Sequence, residues 1–305
     1  SSKMEDINSQ NITKKNLEEA IKKQFGESTN FYINDNKDGS FTIKFNESDR
    51  IYYVKDSGEI IKDSNIKKIK NATDFKNFRD DVNKGNTYEG QYVCLVNDIT
   101  LNINEEWEPI GIYPNDSPSP DSPNNIPFKG TFDGCGYEIN GIFINSNEKV
   151  KALFSFIENA TIKNLKIGNN CKISGYLGTA GVVGYAYNQS IIHNCSNYAN
   201  ISGTTSTGGI VGILVNSTIT NSYNVASISG NNNIGGIAGY VTSNSNISNC
   251  YNTGEINGNE NYIGGISGYT YINSTIATSY NSGVVAGKRN SRWNNWIHSY
   301  RITDK

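Results

Sequence analysis

The sequence predicts a mainly β protein: a right-handed parallel β-helix (solenoid) of about five to six coils, preceded by a small α+β domain. Three observations carry this expectation. Glycine-marked lines recur at Ala152 (the one non-glycine start), Gly181, Gly209, Gly236 and Gly265, with successive starts 29, 28, 27 and 29 residues apart. A second anchor, "NLKI" at 164, "NCSN" at 194, "NSYN" at 221, "NCYN" at 249 and "TSYN" at 278, keeps the same beat, the mark of a stacked repeat. Within each copy the apolar runs are short and interrupted by Gly, Asn and Ser, without the i, i+3, i+4 spacing of helical repeats. Each coil is expected to hold about three strands and to sit roughly 4.8 Å above the last. The right hand follows from the chirality of parallel crossovers.

Residues 1–66 form the expected head. "TKKNLEEAIKKQFG" places Leu17, Ile21 and Phe25 on one helical face, with Thr13 as N-cap and Gly26 as C-cap. "NFYIND", "SFTIKF", "RIYYVK" and "EIIK" then read as four short strands joined by polar turns, an antiparallel meander. Residues 67–150 open the solenoid. Phe75, Phe78 and Val82 share a helical face, with Thr73 as N-cap and Gly85 as stop; a strand follows at 91–96. All six prolines fall between Pro109 and Pro127, so the segment around 114–127 is expected to be a mobile surface loop between two coils.

Residues 151–287 are the repeats proper. Asn197, Asn224, Asn252 and Asn281 share one repeat position, where stacked side-chain amides can donate to and accept from neighbouring coils. This ladder is read as a solenoid turn rather than a binding groove. The pairs Gly208-Gly209, Gly235-Gly236 and Gly264-Gly265 are expected to permit positive φ or tight packing at a corner. Residues 288–305 leave the repeat, and Trp293 and Trp296 are expected to cover its last open edge.

The ordered motifs from Val93 to Ile99 (V-x-L-x-x-D-I), Trp107 to Gly111 (W-x-P-I-G), Phe128 to Ile139 (F-x-G-x-F-D-G-x-G-Y-x-I) and the repeated glycine coils resemble GLUG-motif proteins of bacterial surfaces, over about 67–287. Departures are Ala152 and Ser155 in place of the first coil's glycines, and Cys135 in place of a small polar residue. The helix and meander over about 10–62 resemble the soluble head of a type IV pilin without its hydrophobic helix. These resemblances imply an extracellular adhesion or display protein at a bacterial surface or pilus. Its expected partners are a host glycan or matrix protein and pilus subunits, with membrane attachment only through an N-terminal segment absent from this chain. They imply no shared catalytic residues.

The chemistry expected of the residues themselves is sparse. Net charge is −2, which gives nucleic acid no basic surface to bind. The stretch 171–285 holds only Lys172, Glu255 and Glu260 as charged residues, and Glu255 and Glu260 have nothing stacked above them to complete a paired-carboxylate site. His193 shares a repeat position with Thr220 and Ser248 and is read as a surface strand residue without a catalytic role. Asn34, Asn36, Asp38 and Gly39 sit at calcium-loop offsets, but Phe45 stands where a bidentate Glu is needed, so a hairpin turn is expected. Asp133 is read as a turn residue. The five cysteines are expected to be small buried residues, since Cys195 and Cys250 lie two coils apart, roughly 9.5 Å, too far for a disulfide. The expectation is thus a non-enzymatic protein with no cofactor, no metal and no assigned catalytic residue. Two tyrosine columns remain as ligand-binding candidates: Tyr185, Tyr240 and Tyr269, with Ile213 between, and Tyr223, Tyr251 and Tyr280. Sugar-ring binding and self-packing both fit them, the second better. A carbohydrate-active β-helix enzyme and a ligand-free spacer are the alternative readings.

Overall fold

A computed structural model describes residues 12–287, so the expected cap at 288–305 lies outside the described residues. The chain divides into two units, residues up to 68 with 91–94, and residues 69–90 with 95 onward.

In the first unit, helix α1 (Lys14–Phe25) is capped by the Thr13 hydroxyl, which accepts from the Asn16 amide, and ends at Gly26 with φ 102°. Four strands, β1 (Phe31–Asp35), β2 (Phe41–Phe45), β3 (Ile51–Val54) and β4 (Ile60–Ile61), pair antiparallel in chain order. Leu17 and Ile21 of the helix close one face of this meander over Ile33, Ile43, Tyr52 and Val54. The tight turn between β1 and β2 is made by local bonds: Asp35 accepts from the Lys37 amide and Asp38 from the Ser40 amide. Phe45 is the last residue of β2, so the segment is the hairpin turn its sequence implied.

The second unit is the solenoid. One coil runs Thr205–Gly208, Val211–Val215, Thr218–Thr220, Tyr223–Asn224 and Ile228–Gly230, five short strands where three were expected. Each pairs parallel with its counterpart in the coils before and after. The two tallest ladders hold seven and eight strands, so the stack is taller than five or six coils. The extra height comes from strands that precede the glycine repeats, and the extra strands per coil from short corners. Corners here are only one to three residues long because asparagine enters the left-handed region cheaply, a conformation other L-residues resist. Asn164, Asn194, Asn221 and Asn249 sit at one corner with φ 50–53°, and Asn159, Asn188, Asn216 and Asn273 at another with φ 46–54°. The first of these sets is the leading residue of the second sequence anchor.

Inside the coil, Ile192, Ile219 and Ile247 stack in line, as do Ile201, Ile228 and Ile256, all fully or almost fully buried. Helix α2 (Ala72–Asn83) packs on the first coils with Phe75, Phe78 and Val82 fully buried. Phe75 stacks on Trp107 at 5.3 Å, and Phe78 on Phe132 at 5.8 Å. Its N-cap is Asn71, whose side chain accepts from the Asp74 amide, rather than Thr73, which lies inside the first turn.

The proline-rich excursion is pinned, not loose. Ile112 and Ile126 form an antiparallel bridge with N–H···O distances of 2.7 and 2.8 Å. Within it Asn125 donates to the Ser119 carbonyl and accepts from the Ser117 hydroxyl, and Asn115 accepts from the Lys149 amide. Side-chain bonds and ring packing hold this strap where its composition suggests mobility.

Candidate functional site: an aromatic stripe along the stack

Two tyrosine columns exist where the repeat placed them, but their geometries differ. In the first, Tyr223 stacks on Tyr251 at 4.7 Å and 2°, and Tyr251 on Tyr280 at 5.1 Å and 7°. Tyr198 meets Tyr223 edge-on with their hydroxyls 2.8 Å apart, and that bond pushes the Tyr198 phenol up to about 12. Lys166 lies over the Tyr198 ring at 4.3 Å and pairs with Glu138 at 3.0 Å. The Asn140 amide and the Lys166 ammonium hold the Glu138 carboxyl below its ordinary range. Below the half-exposed Tyr280, ring faces in this column are spent on one another. It is a self-packed ladder.

The second column is a stripe in register through five coils: Phe156, Tyr185, Ile213, Tyr240 and Tyr269. Its lower end is covered. Tyr113 of the strap stacks on Tyr185 at 5.3 Å and 14°, and touches Phe156 edge-on at 5.4 Å. The Tyr187 hydroxyl donates to the Asp121 carboxylate at 3.0 Å. Burial there pushes the Tyr185 and Tyr113 phenols up. The upper end is open. Tyr240 and Tyr269 stack at 5.6 Å, Tyr271 lies over Tyr269 at 5.6 Å and 16°, and Tyr262 approaches it at 4.4 Å. Tyr262 and Tyr271 are 40% and 51% exposed, so two exposed rings cluster here beside Tyr240 and Tyr269, whereas the first column exposes one ring, Tyr280 at its top, 50% exposed.

Other residues considered from sequence fall elsewhere. The Glu260 carboxylate accepts from the Asn232 amide in an exposed turn, and Glu255 precedes the strand Ile256–Gly258. His193 is buried, not a surface residue; its Nδ1 lies 2.7 Å from the Thr220 hydroxyl. Asp133 is likewise a buried strand-end residue and not a turn, its carboxylate accepting from the Cys135 amide and the Asn164 side chain. Asp133, Lys163, His193 and Thr220 occupy one register line, and the first three are almost completely buried. Sequence reasoning aligned His193 with Thr220 but missed Asp133 and Lys163, although Lys163, His193 and Thr220 each stand immediately before the anchor asparagine. Its three buried members join successive coils. Among the described residues no group of three His, Cys, Asp or Glu is placed to hold a metal ion.

The buried cysteines give a direct check on the packing. Cys195 and Cys250 alternate with Ser222 and Ser279 on one line, where each serine hydroxyl accepts the amide of the cysteine one coil earlier. Burial pushes both thiols up to about 12. At pH 8 the thiolate fraction of either is then on the order of 10⁻⁴. Dithionitrobenzoate is expected to leave both unreacted in the folded protein and to titrate them once it is unfolded in denaturant. Prompt native labelling of either would contradict this burial.

No curated protein matches the chain. No solved structure matches it either. Residues 230–257, one full circuit of the stack from the Gly230 corner through Gly236 and Asn252, match the family model of the GLUG motif.

Proposed function

We propose that this GLUG-containing β-solenoid is a non-enzymatic adhesion or display protein of a bacterial surface or pilus, and that it meets its partner through the open end of the aromatic stripe. The carrying observation is the exposed pair Tyr262 and Tyr271 beside the in-register Tyr240 and Tyr269. Rings clustered on a rigid, nearly uncharged sheet offer large contact area at low conformational cost, which suits a host glycan or matrix protein. The N-terminal unit, read as pilin-like, supports display in an assembly of pilus subunits. No cofactor enters this reading.

The test is binding of the chain to glycan and host-matrix arrays, beside a Tyr262→Ala/Tyr271→Ala variant. Stacking of this kind contributes about 0.5–1.5 kcal/mol per ring, so the double variant is expected to bind roughly tenfold more weakly with unchanged thermal stability. Silence of the unaltered chain on both arrays would favour a ligand-free spacer. New reducing ends or unsaturated products from a pectin-, chitin- or mucin-type glycan would instead favour a carbohydrate-active enzyme.

A further inference from the structure

The covered and open ends of the stripe carry the same short motif. Tyr185-Ala186-Tyr187 and Tyr269-Thr270-Tyr271 are both Y-x-Y on the same ladder, with Tyr185 and Tyr269 in one register column. Val241 pairs with Thr270, so Tyr271 follows Thr242 in the column that runs through Glu158, Tyr187 and Val215. At the lower motif the molecule displays an occupant. A tyrosine ring lies flat on Tyr185, and a carboxylate eight residues further along accepts from Tyr187.

We propose that the upper motif is a second seat of the same kind, open to an acidic, proline-rich, turn-forming peptide segment of a partner protein that carries a ring and a carboxylate spaced as in residues 113–121. This rests on the reading of the stripe as the contact surface, and narrows its partner from a glycan or protein to a protein. The two motifs differ in one informative way. Tyr187 stands edge-on to Tyr185 at 82°, whereas Tyr271 lies nearly parallel over Tyr269 at 16°. Tyr271 thus lies over Tyr269 at nearly the distance and angle at which Tyr113 lies over Tyr185. It is half exposed, so swinging it to the edge-on position sacrifices little packing. That rotation, with the exposed Tyr262 also moving off the ring it approaches at 4.4 Å, opens Tyr269 to an incoming ring and turns the Tyr271 hydroxyl toward an incoming carboxylate. A proline-rich segment suits such a seat, because proline fixes much of its backbone before binding and less ordering entropy is lost.

The probe is a fluorescein-labelled synthetic peptide with the sequence of residues 112–126, titrated into the full chain and followed by anisotropy. Saturable 1:1 binding is expected, about tenfold weaker for a Tyr113→Ala peptide and for the Tyr269→Leu protein, each checked for folding by circular dichroism. In a double-mutant cycle, Tyr271→Phe in the protein and Asp121→Ala in the peptide are expected to weaken binding together no more than either alone, since both remove one hydrogen bond. Absence of saturable binding at millimolar peptide, or binding indifferent to Tyr269→Leu, overturns the inference. Glycan-array binding lost in the Tyr262→Ala/Tyr271→Ala variant, with no peptide binding, would leave the contact surface standing and remove only its peptide partner. Failure of both assays would remove both.

Discussion

Asn224→Asp is expected to cost the solenoid about 3–5 kcal/mol at neutral pH, the cost of leaving a buried charge without a partner. Asn224 is completely buried and uses both ends of its amide. Its nitrogen donates to the Asn252 side-chain oxygen at 2.8 Å and the Ala226 carbonyl at 2.9 Å. Its oxygen accepts from the Asn197 amide at 2.9 Å and the Ala226 N–H at 3.3 Å. A carboxylate of the same shape keeps the two accepted bonds and loses both donated ones, so two acceptors face it with no proton between them. Desolvation and those acceptors raise the introduced carboxyl's pKa in the folded chain above its unfolded value of about 3.9. The folded state then binds more protons than the unfolded state between the two values, and stability is regained as pH falls through the folded pKa. Urea unfolding at pH 7 and pH 5 measures both effects. A loss under 1 kcal/mol at pH 7 would mean the ladder does not hold the coils together. Asn281→Asp, at the half-buried top of the ladder, is expected to cost much less.

Gly236→Ala is the second large effect, expected at about 3 kcal/mol or more because the added methyl has no rotamer with which to escape overpacking. A Cβ there would stand 2.2 Å from the Gly265 carbonyl oxygen and 2.5 Å from the Asn252 side-chain carbon. Relief requires moving a backbone carbonyl of the next coil, and so parting two ladders. At Gly136 a Cβ meets nothing, and only the positive φ of 81° opposes alanine, so Gly136→Ala is expected to cost about 1 kcal/mol. Thermal unfolding of the two variants side by side checks the ordering. Equal shifts would mean that backbone conformation, not crowding, dictates Gly236.

The same crowding explains the repeat itself. Gly181, Gly209, Gly236 and Gly265 each leave room for the amide of their own coil's ladder residue, Asn197, Asn224, Asn252 and Asn281. None of these four has positive φ, so close approach is their role and the alternative of a left-handed corner falls away. In the first coil Ile167 occupies the ladder position, in register with Asn197, and there Ala152 replaces glycine. The two departures are one: without an amide to accommodate, the glycine is not required.

Stacking, coil spacing, the asparagine ladder, the core isoleucines and the meander head could all be read from the sequence, because each depends on chemistry repeated at a constant interval or on local turn residues. Periodicity reports which residues lie above one another, and it did so correctly for both tyrosine columns. It does not report which way a side chain faces when a corner takes one residue rather than three. Hence the five-strand coil and the burial of Asp133, Lys163 and His193 emerged only from the folded chain. Nor does it report what a non-repeating segment lies against. The seating of Tyr113 on Tyr185, which separates a covered from an open end of one stripe, joins residues 72 positions apart through ring packing and one hydrogen bond to Asp121. The sequence by itself determined the ladder, since neighbouring coils need identical partners at identical positions. Tertiary structure alone decided which of its rings a partner can reach, since exposure depends on contacts that no repeat interval encodes.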